Sequence, residues 1–157
     1  MKFGGSSVAD ADRIRGVGDI IIARSKEKPN PPVVVVSAMK GVTDMLLGAA
    51  RSAEAGKREY KDAIYELMGK HHDAVKALVT DNSAGASLLI EVDRLLDELG
   101  EILHGVELVR ECSPRTKDLV SGFGERLSCR ILAAHITDRG ADCEAVDARE
   151  IIRTDAN

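Results

Sequence analysis

The sequence predicts an α/β fold, a parallel sheet covered by helices, on three observations. The chain opens with Lys2-Phe3 followed by a Gly-Gly turn, Gly4-Gly5-Ser6-Ser7. Four β-branched residues in a row, Val33-Val34-Val35-Val36, show no polar alternation, the pattern of a strand buried on both faces. Stretches with helical periodicity lie between and after these two. The order strand, helix, strand, several helices, strand, joined by right-handed crossovers, makes a parallel sheet between helix layers. A chain of 157 residues is enough for one core, so a single domain over residues 1–157 is expected.

Each element has its own justification. Phe3 ends the first strand, yet only two residues precede it, so either that strand is very short or the natural start lies upstream. Residues 9–26 read as a helix with Ile14, Val17 and Ile21 on one face and Asp10 and Asp12 in the first turn. The polar, proline-rich residues 26–32 end it. After the valines, residues 37–44 sit at a strand's C-terminal end, where open α/β sheets collect ligands. The next helix runs to about Ala55, and Gly56-Lys57 stops it. Two long helices follow. Tyr60, Ile64, Leu67, His71, Val75 and Leu78 stripe the first; Leu88, Val92, Leu95, Leu99, Ile102 and Val106 stripe the second. The short Asp81-Asn82-Ser83 loop predicts an antiparallel hairpin. Ser113-Pro114 starts a further helical run ending at Gly140, interrupted by Gly122 and Gly124, with Leu127, Ile131 and Ala134 toward the core. Residues 142–147 read as a short strand and 148–153 as a helical turn.

Composition narrows the function. The net charge is −4, there is no basic block, and aromatic residues make up 3% of the chain, which argues against nucleic acid as a partner. No apolar run approaches the roughly 18 residues of a membrane span, and no secretory signal is visible. Cys112, Cys129 and Cys143 are odd in number and lack Cys-x-x-Cys spacing, so they read as reduced thiols of a cytoplasmic protein and as small core residues. His71 and His72 point about 100° apart on a helix and His104 is alone, which disfavours a metal site.

The opening turn is the first candidate site. A Gly-Gly pair lets backbone N–H groups approach an anion closely, a following helix adds unpaired N–H groups and a positive dipole end, and Lys2 adds a point charge. The pattern is neither a Walker P-loop nor a dinucleotide fingerprint. An ordinary strand-to-helix turn uses the same residues. Thr43 reads either as a helix N-cap or as a substrate contact. Glu125, between two glycines and a helix, is either a surface carboxylate or a receptor for a cation.

Four stretches together resemble aspartate kinases of the amino-acid kinase family: Lys2-Phe3-Gly4-Gly5-Ser6-Ser7-Val8, the run "VVVVSAM" over 33–39, "SGFGERLS" over 121–128 and "DAREIIRTD" over 147–155. Acetylglutamate and glutamate 5-kinases keep the Lys-x-Gly-Gly idea but not this set. The resemblance implies an amino-acid kinase (carbamate kinase-like) fold, of which this is the N-terminal half with a helical hairpin excursion. It implies transfer of the γ-phosphoryl group of ATP to the β-carboxylate of L-aspartate, giving aspartyl phosphate for lysine, threonine and methionine biosynthesis. Lys2 would hold the transferring phosphate, with Gly4 and Gly5 lining it; Ser6 and Ser37 would lie near phosphate and substrate. Thr43 would touch aspartate and Glu125 would accept its α-ammonium. Mg2+ would accompany ATP, with no ligand identified in this chain. The family's substrate-binding arginine, catalytic aspartate and most of its nucleotide site match positions after Asn157, so these residues alone are expected to be inactive. Apolar surface left open would favour a homo-oligomer. The rival readings are a non-catalytic domain that binds aspartate or a partner, and a purely structural α/β domain.

Overall fold

The computed structural model describes residues 1–27 and 30–152. The end of the last helical turn expected at Arg153, and the Arg153-Thr154-Asp155 part of the fourth stretch, lie outside the described residues.

Two short strands, β1 (Lys2–Phe3) and β2 (Val35–Val36), pair in parallel, Lys2 opposite Val35 and Phe3 opposite Val36. Between them runs α1 (Ala11–Glu27), which buries Ile14, Val17 and Ile21 as its spacing demands. Asp10 precedes it and accepts from the Arg13 N–H at 2.9 Å, taking one of the first-turn donors. After β2 come α2 (Val42–Glu54), α3 (Tyr60–Leu78), α4 (Asn82–Val109), α5 (Pro114–Asp138) and α6 (Ala148–Ile151).

The α3–α4 hairpin forms as its two stripes require. Asp81 caps α4 by accepting from the Ala84 N–H at 2.7 Å. The turn is pinned from outside: Asp138, at the end of α5, accepts from the N–H groups of Thr80 and Asp81, each at 3.0 Å. His71 is fully buried within α3; its Nδ1 meets the Leu67 carbonyl at 2.6 Å and burial lowers its pKa, keeping the ring neutral. At the other end of the hairpin, buried Tyr60 donates to Glu107 at 2.7 Å. Ser113 caps α5 by accepting from the Thr116 N–H at 3.1 Å, and Pro114 follows. Helix α5 packs against α1, α2, α3, α4 and β2, so it is the spine of the core.

Four expectations are corrected. The valine run is not buried on both faces: Val33 is 81% and Val35 57% exposed, whereas Val36 is buried. Alternation wins because the described sheet has two strands and helices cover only one side. Residues 142–147 form no strand. Their backbone runs along α5 instead, held by a bond from Thr137 Oγ1 to the Cys143 carbonyl at 3.3 Å and from the Ala141 N–H to the Ile136 carbonyl at 3.3 Å. The glycines at 122 and 124 do not interrupt α5, which is continuous from Pro114 to Asp138. Of the three free cysteines only Cys112 is a core residue; Cys129 is half-buried and Cys143 exposed.

Gly124 shows why a glycine stands in that helix. A Cβ there would lie 2.6 Å from the Cβ of Ala38 and 3.0 Å from Cγ1 of Val42. The missing side chain lets α5 meet the loop after β2 and the first turn of α2. Gly124→Ala therefore forces these elements apart and is expected to cost about 1–3 kcal/mol, or a Tm lower by about 2–4 °C for each kcal/mol. Gly122 has open space around it, so Gly122→Ala is expected to raise Tm through better helix propensity. Thermal melts of the two variants side by side check the contrast.

Candidate active site

The two strands end at the same edge. The ladder continues one step past each, with the Ser37 N–H donating to the Phe3 carbonyl at 3.0 Å. Gly4 and Ser37 therefore leave the sheet side by side. Successive strand residues face opposite ways. Phe3 and Val36 turn toward the core, so Lys2 and Val35 share the open face, and the alternation brings Gly4 and Ser37 to that face too. Lys2 is exposed.

Next to this edge, Gly4 to Ser7 closes a turn, with the Ser7 N–H on the Gly4 carbonyl at 2.8 Å. Neither Gly4 nor Gly5 needs a left-handed φ. What Gly5 supplies is approach: a Cβ on it would stand 3.0 Å from the Ala38 carbonyl oxygen. Ser6 is exposed at the turn's tip. The chain reverses at Gly41, whose φ is 82°, and α2 starts at Val42 with no side-chain cap. Thr43 is thus not the N-cap. It lies half-buried inside the first turn, because the left-handed glycine starts the helix two residues before it.

Helix α5 brings the last candidate. Glu125 follows Gly124, so its Cα is about 3.8 Å from the residue that touches Ala38 and Val42. The side chain is exposed and, among the described residues, makes no ion pair. The neighbouring cation is engaged elsewhere: the Arg126 guanidinium, 10% exposed, donates to both oxygens of Glu98 at 3.2 and 3.0 Å and lies 4.6 Å over the Phe123 ring. Its Nε is 3.4 Å from Asp147, close enough to pair in charge but not aligned as a hydrogen bond. Asp147 caps α6 and pairs with Arg149 at 2.7 Å. The Arg149 side-chain bonds above all hold the Asp147 carboxyl down at about 2.

The strand edge brings Lys2, Gly4, Gly5 and Ser37 together with Ser6 at the tip of the turn, while Thr43 and Glu125 each follow a residue, Val42 and Gly124, of the contact between α2 and α5. Three features lay beyond the sequence reading: the left-handed Gly41, the Gly124–Ala38 contact, and the Glu98–Arg126–Asp147–Arg149 network. A Lys-Gly pair just before a helical stretch was a usable signal for the first. The other two join residues far apart in the chain and carry no local signature. Two concavities lie elsewhere, one of about 570 Å³ against α3 and α4 beside Tyr65 and one of about 740 Å³ between α4 and α5. Among the described residues no three His, Cys, Asp or Glu side chains converge as a metal site. No described helix is long and apolar enough to cross a membrane.

A strand pair with a glycine turn and a lysine on its open face, near the start of a helix, offers the kind of donors that suit an anion. Comparison with known proteins makes the class definite. A sequence model of the amino acid kinase family matches residues 1–157, and the chain belongs to that family. Within it, the resemblance to aspartate kinases holds. The chain is similar to Aspartokinase 1, chloroplastic, of Arabidopsis thaliana, with 39% identity over 157 residues covering 96% of this chain and 25% of that one. It is also similar to Bifunctional aspartokinase/homoserine dehydrogenase 2, chloroplastic, of the same plant, at 31% identity, 96% of this chain and 16% of that one. Among solved structures it resembles E. coli aspartokinase III in complex with aspartate and ADP, with a TM-score of 0.72 and 27% identity over 88% of this chain and 28% of that one. The same enzyme with lysine and aspartate gives a TM-score of 0.73 at 26% identity, with the same coverage. The chain spans about a quarter or less of the length of these curated relatives. The fold is that of the amino-acid kinases.

The Asp147 pair sets a pH dependence. Its carboxyl titrates at about 2 in the folded chain and near 3.9 when unfolded. The unfolded chain binds the proton first, so this contribution is present in full above about pH 5 and lost as pH falls toward 2. Asp147→Asn is expected to remove that dependence and to free residues 141–152 from α5, seen as a flatter Tm profile below pH 5 and faster amide exchange in that segment.

Proposed function

We propose that this chain carries the phosphate turn and part of the substrate site of an aspartate kinase, which transfers the γ-phosphoryl group of ATP to the β-carboxylate of L-aspartate. The observation that carries the reading is the shared edge: two parallel strands deliver Lys2, the Gly4–Gly5 turn and Ser37 to one place, and Gly124, next to Glu125, meets Ala38 and Val42 of the loop and helix start that follow. The solved neighbours with aspartate and ADP support the ligands.

The chemistry asks little of a base. The attacking β-carboxylate is already ionised at pH 7. One of its oxygens forms the new bond to the γ-phosphorus, the bond to the β,γ-bridging oxygen breaks, and ADP leaves with the electron pair; no proton moves. What is needed is to bring two anions together and to neutralise charge as it shifts. Lys2 gives a mobile positive charge to the phosphoryl oxygens. Gly4 and Gly5 let backbone donors come close, and Ser6 and Ser37 add hydroxyl donors. Thr43 donates to aspartate. Glu125, which makes no ion pair among the described residues, receives the α-ammonium and so selects an amino acid over a plain dicarboxylate. ATP arrives with Mg2+ held on its own phosphates. Self-association belongs to the same proposal, supported by the exposed Val33 and Val35; so does a cytoplasmic location, supported by three free thiols.

The test is Glu125→Gln, which keeps size and removes charge. Glu125 is exposed in this chain, so its pair with an ammonium is worth roughly 0.2–1 kcal/mol. NMR titration is expected to show L-aspartate binding weaker by up to about fivefold, with succinate, which lacks the ammonium, nearly unaffected. Equal weakening of both, together with a lower Tm, would sink the assignment.

A second reading has its own support. The chain spans a quarter or less of its relatives' length, which favours binding without turnover by these residues alone. The purified 157-residue chain, incubated with ATP and aspartate and trapped with hydroxylamine, is expected to give no acyl phosphate. Robust hydroxamate formation would show that these residues suffice.

A further inference from the structure

Helices α3 and α4 leave a groove of about 570 Å³ between them that the strand-edge site does not use. Ile64, Met68, Leu96 and Gly100 give it an apolar lining. The two helices touch along it without a side chain at Gly100, where a Cβ would stand 3.6 Å from Cδ1 of Ile64. Both ends are tied. Tyr60 donates to Glu107 at 2.7 Å at one end, and His72 meets Asp93 at 2.6 Å at the other. From Tyr60 to His72 helix α3 rises about 18 Å, three and a third turns. The groove is therefore as long as a few turns of another helix.

The walls carry unlike charges. Lys61 stands on the α3 side, and Asp97 and Glu101 on the α4 side, all exposed. Among the described residues none of the three makes an ion pair. The helices are antiparallel, so Lys61, three residues before Ile64, and Glu101, one after Gly100, lie toward the same end. Tyr65, on the same wall as Lys61, is 70% exposed, whereas Tyr60 and Phe123 are buried. A large amphipathic ring left in solvent beside an apolar groove is the side chain that most often anchors an interface.

We infer that this groove receives a second copy of the chain, hairpin against hairpin, with α3 of one copy lying on α4 of the other. The charges choose this occupant. A basic partner would meet Lys61 and an acidic one would meet Asp97 and Glu101, whereas the chain's own hairpin carries both signs in the complementary order. A two-fold axis running along the hairpin brings Lys61 of each copy to Glu101 of the other and lays each Tyr65 over the other copy's Gly100, where no side chain stands in the way. Each contact then occurs twice. The inference stands apart from the phosphoryl-transfer reading, and it uses other elements than the exposed Val33 and Val35.

Sedimentation equilibrium of the 157-residue chain, carried to roughly 0.5 mM, tests it. The parent chain is expected to dimerise, and less tightly as salt is raised. Lys61→Glu and Glu101→Lys are each expected to weaken the dimer about fivefold or more, because every change acts at two symmetric places. The chain carrying both exchanges is expected to regain the parent's affinity. Tyr65→Ala is expected to weaken the dimer about tenfold or more. All three side chains are exposed, so an unchanged melting temperature shows that each variant is folded. A parent chain that stays monomeric overturns the inference. So does a dimer that Lys61→Glu and Tyr65→Ala leave intact, or one that the double exchange fails to restore. A dimer lost to Val35→Lys and untouched by the hairpin variants places self-association on the open sheet face and overturns it as well.

Discussion

The arrangement of this site depends on one alanine held between two glycines. Ala38 puts its Cβ against α5 at Gly124 and its carbonyl against the opening turn at Gly5. At both contacts a side chain on the glycine would stand at or inside van der Waals distance. Interiors are packed closely enough that such contacts act as fixed spacers. The spine helix, the loop after β2 and the glycine turn after β1 are therefore set relative to one another by a single residue. The candidate residues of three separate segments meet because of it.

Electrostatics then sorts the charged groups into two sets. In one, arginines are matched to carboxylates: Arg126 with Glu98 and Asp147, Arg130 with Glu91, Arg139 with Asp19. These pairs lock α5 to α4, to α1 and to the segment before α6. At the strand edge Lys2, Lys40 and Glu125 carry charge with no partner among the described residues. These side chains are exposed and hydrated, so they stand unpaired at little cost and remain open to a partner.

Local rules read well where an element is long and its partners are its own neighbours in sequence. The stripes from Tyr60 to Leu78 and from Leu88 to Val106 gave the hairpin because each helix buries one face whatever it packs on. Ser113-Pro114 and Asp81 marked helix starts through caps that involve only the next three residues. Reading failed where burial depends on distant residues. Val33 and Val35 are strand-like by propensity, but whether they are covered depends on what lies over the sheet. Residues 142–147 have the composition of a strand, yet α5 supplies their hydrogen-bond partners. Thr43 has the chemistry of a cap, and the positive φ at Gly41 started the helix before it.

By itself, then, the sequence determined the helices, the parallel α/β class, the glycine turn with its lysine, and the four stretches that identify the family, because each is written in spacing or in adjacent residues. Only the tertiary structure decided that the turn's glycine serves approach to Ala38 rather than a left-handed φ, that Gly124 seats α5 against Ala38 and Val42, and that Arg126 is engaged by Glu98 and Asp147 while Glu125 has no ion pair among the described residues. Those outcomes depend on contacts between residues tens of positions apart. Steric fit and charge pairing act through space, and no periodicity along the chain records them.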